Sequence, residues 1–258
     1  MVSYFSETIN QPWPSNQTKS NVEAVMNSAV VINQRARSAE QKALRRRAVI
    51  EAAETYFLEV GYEAFSMAQL AKKTGVAKGT LYLYFKTREE LFLTLYEQSL
   101  IRWSKVFMGY LSGSMTSKAY AQTLFTTALA DGTFLPLFIR LAHIIEHNVA
   151  IPRLISSKQV LIRQVEAVAE PTSTSLKLSK AQAIEVVKTM GVLLIGATGA
   201  DQGPSLNNEN LPEDVQDLIA SFSSEPLFVK NAVRIIEGIR AQAASDISSN
   251  QTLKQITT

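Results

Sequence analysis

The stretch from Leu70 to Phe92 reads LAKKTGVAKGTLYLYFKTREELF and places lysines, tyrosines and glycines close together. A solvated helix rarely exposes tyrosine, and a hydrophobic core rarely contains lysine. A surface that binds a partner both anionic and partly apolar would use both residue types at once. The stretch therefore predicts a binding surface rather than an ordinary helix face.

Helix signals surround this stretch on both sides. Apolar residues at helical spacing over Ile50–Val60 predict a first helix, which Gly61 would end. Ser66–Gln69 is a capping box that opens a second, short helix ending at Gly75. A third short helix over Lys78–Leu83 follows. Two short helices joined by a glycine turn are the plan of a helix-turn-helix.

In that plan the third helix lies in the major groove of DNA with its first residues at the base edges. Lys78 can reach the acceptor edge of guanine, and Gly79 lets the backbone approach closely. Thr80 and Tyr84 share the exposed face, with Tyr82 beside them. A tyrosine ring can pack on sugar or on a thymine methyl while its hydroxyl donates to phosphate. A phosphate-lined groove is both anionic and partly apolar, which explains why lysine and tyrosine coexist here.

The remaining residues of the stretch fit the same hypothesis. Leu81 and Phe85 form the side of the third helix opposite to the exposed pair. Thr87–Glu90 is a second capping box, which opens a fourth helix. Lys86 and Arg88 lie at the start of that helix, where backbone N–H groups also favour an anion. The alternative is an amphipathic helical hairpin whose basic face is merely solvated.

The segment Glu51–Leu95, EAAETYFLEVGYEAFSMAQLAKKTGVAKGTLYLYFKTREELFLTL, resembles the N-terminal DNA-binding domain of TetR-type transcriptional repressors. The motifs that carry the resemblance are G-[YF]-x-x-[FT]-[ST] and A-x-x-x-G-V-x-K-G-T-[LI]-Y-x-[YH]-F. Ala77 departs from the family, which often has serine there as a helix cap, and a lost cap costs roughly 0.5–2 kcal/mol. The resemblance implies DNA contacts from Ser66, Lys78, Gly79, Thr80, Tyr82, Tyr84 and Arg88, with Lys86 nearby.

Composition and charge limit the classes of function. The chain has no cysteine, which excludes disulfides, thiolate metal sites and a cysteine nucleophile. It shows neither a secretory signal nor an apolar run long enough to span a membrane, so a cytoplasmic protein is expected. Residues 35–88 hold 11 Lys/Arg against 5 Asp/Glu, whereas the rest of the chain holds 15 against 18. Charge alone leaves nucleic acid and an anionic membrane open as partners.

The predicted fold class is all-α, because long segments between turns show no persistent strand alternation. Residues 1–36 are predicted to be a poorly ordered arm and 37–92 a helix-turn-helix domain. Residues 93–247 are predicted to be a helical effector-binding and dimerisation domain, as the resemblance also implies, and 248–258 a flexible tail.

A dimer interface is predicted on two apolar segments, 180–200 and 226–244. The first is rich in small residues, which let helices approach closely, and the second supplies a partner helix. The alternative is that both helices belong to the core of one subunit. The residues predicted at the interface are Ile184, Val187, Gly191, Leu194, Ile195, Val233 and Ile236.

The helix predicted over Phe134–Val149 contains HIIEH, which spells the inverted zinc-hydrolase pattern H-x-x-E-H. A zinc hydrolase needs a third ligand and an open coordination position, and no partner motif supplies that ligand. The alternatives are a non-catalytic metal or polar-ligand site and a plain helix face. An apolar effector pocket is predicted nearby, although aromatic residues at helical spacing also suit a core. Its candidate residues are Phe107, Phe134, Phe138, Arg140, His143, Glu146 and His147.

These patterns together predict a homodimeric repressor of transcription that a small-molecule effector releases from its operator. Its partners would be a pseudo-palindromic double-stranded DNA operator, a second copy of the chain and the effector, with no membrane partner. No catalytic residue, metal site or cofactor is predicted. Two alternatives are a DNA-binding protein without a small-molecule switch and a zinc hydrolase that uses HIIEH.

Overall fold

The computed structural model describes residues 39–199 and 211–256, with the backbone alone at residues 39, 143, 220 and 243–256. These residues form helices joined by turns, and no strand occurs among them, which confirms the all-α class. The predicted arm over 1–36 lies outside the described residues.

The first compact unit ends at Arg88. Its described helices are α1 (Ala39–Ala64), α2 (Met67–Thr74) and α3 (Lys78–Tyr84), and α2 packs on both of the others. Gly61 interrupts α1 with a φ of 72°, which glycine adopts without the strain that a Cβ would cause. The predicted helix end at Gly61 is therefore a break within α1.

The core of this unit consists of the apolar positions that the helical spacing selects. Ile50 and Phe57 of α1, Leu70 of α2 and Leu81 of α3 are each at most 2% exposed. Burying such a side chain contributes about 1.5–3 kcal/mol, so these contacts hold two short helices that would not be stable alone.

The second compact unit begins at Glu89, one residue into the next helix. In the described part of this unit, α8 packs on α7 and α10, and α10 packs on α5. The helices are α4 (Arg88–Tyr110), α5 (Ser117–Ala130), α6 (Phe134–Arg140), α7 (Ile151–Leu176), α8 (Lys180–Gly199), α9 (Glu213–Ser221) and α10 (Ser224–Ile256).

By length and composition α8 could cross a membrane. The same composition suits a core helix, and in this chain Val186, Met190 and Leu194 of α8 are almost completely buried against neighbouring helices. This packing accounts for the apolar side chains on the buried face of α8.

The helix predicted from Phe134 to Val149 is not continuous. The α-helix ends at Arg140, and Leu141–Ile145 forms a π-helical turn followed by a 3₁₀ turn over Glu146–Asn148. A π-helical turn accommodates an additional residue and rotates the side chains that follow it.

Two helices of the second unit are longer than local sequence signals indicate. α7 continues through Pro171 to Leu176, although proline disfavours a helix interior. Thr172 is buried there and its hydroxyl donates to the carbonyl of Val168 at 2.8 Å, which ties this turn to the helix. The predicted flexible tail begins at residue 248, whereas α10 extends to Ile256.

Candidate functional site

The glycine turn between α2 and α3 is built as the sequence predicts. The hydroxyl of Ser66 accepts a hydrogen bond from the backbone N–H of Ala68 at 3.3 Å and caps α2. Gly75 closes the helix with a φ of 65°, in the left-handed region. Ala77 precedes α3 without a side-chain cap, as its lack of a hydroxyl requires.

The two sides of α3 differ sharply in exposure. Leu81 and Phe85 are at most 2% exposed, and the guanidinium carbon of Arg46 lies 5.0 Å from the centre of the Phe85 ring. On the opposite side Leu83 is 84% and Tyr82 40% exposed. The buried side anchors the helix, and the exposed side is left for a partner.

The predicted contact residues on α3 lie on or beside this exposed side. Lys78 and Gly79 are exposed, while Thr80 and Tyr84 are half-buried. A Cβ at Gly79 would meet no atom within 4 Å, so the packing of this chain does not require glycine there. The Lys78 ammonium lies 6.0 Å from the centre of the Tyr82 ring, at the outer limit of a cation–π contact.

Arg88 is half-buried and held by contacts within the first unit. Its guanidinium donates to the hydroxyl of Tyr62 at 3.4 Å and to the carbonyl of Phe65 at 3.5 Å, and lies 4.8 Å from the centre of the Tyr62 ring. Lys86, two residues earlier, is exposed. The structure thus gives Arg88 a structural role within the unit, in addition to the predicted phosphate contact.

A cavity of about 290 Å³ lies within the second unit. Residues of α4, α5, α6, α7 and α8 and of the two turns after α6 surround it, and most of them are apolar. They are Tyr96, Leu100, Trp103, Ser104, Tyr120, Leu124, Phe134, Phe138, Leu141, Ala142, Glu146, Lys158, Leu161, Gln164, Val165, Val168, Val187, Lys188, Gly191, Val192, Leu194 and Ile195.

Aromatic rings form one wall of this cavity. The rings of Trp103 and Phe134 are nearly parallel, with centres 4.7 Å apart. Phe138 lies 5.3 Å from Phe134 and 5.9 Å from Tyr96, again with nearly parallel planes. A Cβ at Gly191 of α8 would lie 3.6 Å from the Phe138 ring, so α8 faces the same wall.

A few polar groups interrupt the apolar lining. Glu146 and Lys158 form an ion pair at 2.5 Å. The hydroxyl of Tyr120 shares a hydrogen bond of 3.0 Å with Thr172. In contrast, the hydroxyls of Tyr96 and Ser104 are buried and have no hydrogen-bond partner in the part of the chain that the structure describes.

The environment of Tyr96 keeps its hydroxyl protonated. Burial raises the pKa of Tyr96 well above its ordinary value, and the nearby carboxylates of Glu146 and Glu97 raise it further. Tyr96 is therefore a neutral hydrogen-bond donor at the cavity wall at physiological pH.

Three of the seven predicted pocket residues line the cavity, and Phe107 does not. Phe134, Phe138 and Glu146 line the cavity. Phe107 is fully buried behind Trp103, with ring centres 5.5 Å apart, and contributes to the core instead.

Of the other three predicted pocket residues, Arg140 and His147 are not among those that line the cavity. Arg140 donates to the carbonyl of Pro136 one turn earlier, at 3.1 Å. His147 is exposed, and the side chain of His143 lies outside the described part. Among the described residues no three His, Asp or Glu side chains are grouped to hold a metal ion.

The predicted interface residues lie in different surroundings within one chain. Leu194 and Ile236 are at most 1% exposed and belong to the core, and Leu194 also lines the cavity. Val187, Gly191 and Ile195 line the cavity, while Ile184 and Val233 are half-buried. The small residues of α8 allow close approach to the aromatic wall within one subunit.

Most residues of the cavity were missed in the sequence, and among them are the polar residues Tyr96, Ser104, Lys158 and Lys188. Tyr96 and Trp103 are seven residues apart on α4, which indicates a shared helix face, but a filled core has the same spacing. Lys158 and Lys188 are exposed as well as lining the cavity, and sequence periodicity carries no information about which helices enclose a cavity.

Comparison with known families supports both halves of this description. The family model described as "Bacterial regulatory proteins, tetR family" matches residues 49–95, and the model described as "Tetracyclin repressor-like, C-terminal domain" matches residues 95–243. The chain belongs to the TetR family. The first match contains the turn and α3, and the second contains every residue that lines the cavity.

Curated relatives match over shorter stretches. The "Fatty acid metabolism regulator protein" of Bacillus subtilis is 36% identical over 61 residues, which is 24% of this chain and 31% of that protein. The transcriptional regulator YhgD of the same organism is 46% identical over 48 residues, 19% of this chain and 25% of that protein. The chain thus matches about a third or less of the length of these relatives.

Solved structures of the TetR family extend over more of the chain at lower identity. A TetR regulator from Rhodococcus sp. RHA1 covers 78% of this chain and 97% of its own, with 16% identity and a TM-score of 0.49. FadR from Bacillus subtilis, solved in complex with stearoyl-CoA, covers 72% and 96%, with 17% identity and a TM-score of 0.40.

Proposed function

We propose that this TetR-family protein is a homodimeric regulator of transcription that binds a pseudo-palindromic DNA operator and is released from it by a small-molecule effector. The observation that carries the proposal is the exposed side of α3. Lys78, Gly79 and Tyr82 are exposed there, on a helix that Leu81 and Phe85 anchor from the opposite side.

The residues of this surface suit DNA in two ways. Lys78 at the start of α3 supplies a donor for guanine, and Gly79 beside it leaves room for base edges or phosphate. Ser66, Thr80, Tyr84, Lys86 and Arg88 are proposed as surrounding contacts, mainly to phosphate and sugar, which position the helix without reading sequence. Intracellular DNA as the partner implies a cytoplasmic protein.

The effector is proposed to occupy the cavity of the second unit. The cavity is lined by α4, the helix that begins at Arg88, through Tyr96, Leu100 and Trp103. An effector shifts the operator equilibrium only if it binds better to the conformation that cannot bind the operator. The cavity favours this proposal over a DNA-binding protein with no small-molecule switch, for which a filled core is expected.

Dimerisation is proposed through the exposed surfaces of α8 and α10. Ile184 of α8 and Val233 of α10 are half-buried apolar residues that do not line the cavity. A two-fold dimer would present two copies of α3 to half-sites spaced by one helical turn of DNA or more.

Selection of binding sites from random duplex DNA by the purified protein, at fixed physiological salt, tests the proposal. We expect a pseudo-palindrome whose half-site spacing gives the distance between the two copies of α3. Sedimentation of the protein on a selected site would give the number of subunits bound. Recovery of unrelated sequences with only salt-sensitive binding would contradict a sequence-specific regulator.

A further inference from the structure

Two hydroxyl groups are buried at the cavity. Tyr96 is 1% exposed and Ser104 is fully buried, yet neither hydroxyl has a partner within the described residues. A buried polar group without a hydrogen bond costs about 1–3 kcal/mol, so such groups are rare in folded proteins. Both hydroxyls belong to residues that line the same cavity, which points to an occupant with hydrogen-bonding groups.

The charged groups around the cavity show which polar group would be favoured. Two ammonium groups, Lys158 and Lys188, and one carboxylate, Glu146, line it. The two carboxylates near Tyr96 are both paired, Glu146 with Lys158 at 2.5 Å and Glu97 with Arg153 at 2.6 Å. Lys188 is exposed and has no ion-pair partner in the described part of the chain. The lining therefore has a surplus of one positive charge and, with the Tyr96 hydroxyl, a surplus of hydrogen-bond donors.

Tyr96 and Lys188 lie at the same wall. Lys188 precedes Gly191 by one turn of α8, and a Cβ at Gly191 would lie 3.6 Å from the Phe138 ring. The centre of that ring is 5.9 Å from the centre of the Tyr96 ring. The remaining wall, formed by Trp103, Phe134 and Leu100, is apolar and suits a hydrocarbon or aromatic body.

We propose that the effector is an amphipathic carboxylate, whose apolar body lies along the aromatic wall and whose head group accepts from Tyr96 and pairs with Lys188. An ammonium head group would face a lining that is already positive. An uncharged head group would use the Tyr96 hydroxyl but would leave Lys188 without an anion. This inference rests on the proposed function for the identification of the cavity as the effector site.

The test uses the full chain without DNA and calorimetric titration with three probes of matched chain length: decanoate, 1-decanol and decylamine. The same three head groups are also compared on the chain lengths of octanoate and dodecanoate, so that a difference in affinity reflects the head group and not the chain length. We expect decanoate or one of its homologues to bind at least about tenfold more tightly than the matched alcohol and amine.

Substitutions in the chain test where the head group of the ligand binds. Tyr96→Phe, which keeps the ring, and Lys188→Gln are each expected to weaken carboxylate binding about tenfold, and Lys188→Gln also to abolish the preference over the alcohol. Tyr110→Phe on α4 and Lys180→Gln on α8 are matched controls, because both residues lie outside the cavity lining. We expect both controls to bind like the unchanged protein.

Each contrary result overturns the inference. These results are no binding of any carboxylate, equal or tighter binding of the amine or alcohol, or full affinity in both Tyr96→Phe and Lys188→Gln. Operator binding of the same preparation, measured without probes, separates this failure from failure of the proposed function. Retained operator binding would leave the DNA-binding regulator in place with a different effector class.

Discussion

The exposed side of α3 and the lining of the cavity both present polar groups, but the cost of leaving those groups without a partner differs. Lys78 and Tyr82 on α3 are exposed to water, which hydrates them. The hydroxyls of Tyr96 and Ser104 are buried without a partner in the described residues, at a cost of about 1–3 kcal/mol each. An exposed lysine therefore says little by itself, whereas a buried, unpartnered hydroxyl indicates a ligand.

The two regions also differ in what supports them. The α3 surface is specified by a local motif of caps, a glycine turn and two buried anchors. The cavity is assembled from five helices, with lining residues that run from Tyr96 to Ile195. We expect the exposed side of α3 to contribute to DNA binding without contributing to the free energy of unfolding. We expect the polar groups of the cavity to contribute to ligand binding while lowering the free energy of unfolding.

The largest effect is expected at Gly79. A Cβ there meets no atom within 4 Å, so Gly79→Leu should fold normally and gain up to about 1 kcal/mol in free energy of unfolding. The side chain would occupy space proposed for DNA and should weaken operator binding by about 3 kcal/mol, by analogy with the loss of a good base contact. Fluorescence anisotropy with a selected operator measures this.

Gly109 on α4 provides the matched control, because a Cβ there also meets no atom within 4 Å. Gly109→Leu should leave operator affinity unchanged. Equal loss of affinity in both variants would show that Gly79 acts through folding and not through DNA.

A smaller effect, which separates base contacts from phosphate contacts, is expected from two lysines. Lys78→Ala should cost roughly 1–3 kcal/mol on the selected operator and relax sequence preference at one position in each half-site. Lys86→Ala should weaken binding to all sequences alike and reduce the slope of log K against log salt by about 1 for each subunit. Titrations at several salt concentrations, on operator and on unrelated DNA, distinguish the two. Uniform weakening by Lys78→Ala would place the base contact elsewhere.

The buried tyrosines should make the protein sensitive to alkali. Burial raises the pKa of both Tyr96 and Tyr120, so these phenols stay protonated in the folded state after they ionise in the unfolded state, above about pH 10. Stability is therefore unaffected below that pH and falls above it, by about 1.4 kcal/mol per pH unit for each tyrosine.

Urea unfolding between pH 9 and about 11, in the range where tyrosine ionises, measures this loss. Tyr96→Phe should reduce the slope of the free energy of unfolding against pH by the contribution of one tyrosine. An unchanged slope in that variant would mean that Tyr96 ionises as readily in the folded protein as in the unfolded chain.

The smallest effect is expected on the free energy of unfolding at neutral pH, when substitutions of the two tyrosines are compared. Tyr120→Phe removes a buried hydrogen bond to Thr172 and should lower the free energy of unfolding by about 1 kcal/mol. Tyr96→Phe removes a hydroxyl without a described partner and should leave stability unchanged or raise it by up to about 1 kcal/mol. Urea unfolding at neutral pH without ligand is the measurement. Equal destabilisation would show that the Tyr96 hydroxyl is already satisfied by the protein.

Prediction from the sequence succeeded where short-range rules decide the structure. The left-handed Gly75, the cap at Ser66 and the buried pair Leu81 and Phe85 each depend on residues within a few positions of one another. It was wrong at the HIIEH segment, where the helix changes to a π-helical turn at Leu141. Helical periodicity alone does not encode such a change.

The sequence alone determined the all-α class, the helix-turn-helix motif and membership of the TetR family, because capping, glycine conformation and helical periodicity are local properties of the chain. Tertiary structure alone decided that Phe134, Phe138 and Glu146 share a cavity with Lys158, and that Phe107 does not line it. It also decided that Gly191 faces an aromatic ring within one subunit. The physical reason is that a cavity is the space between several helices, and its shape depends on how those helices pack. Side chains with the same helical periodicity can fill that space in one fold and surround it in another.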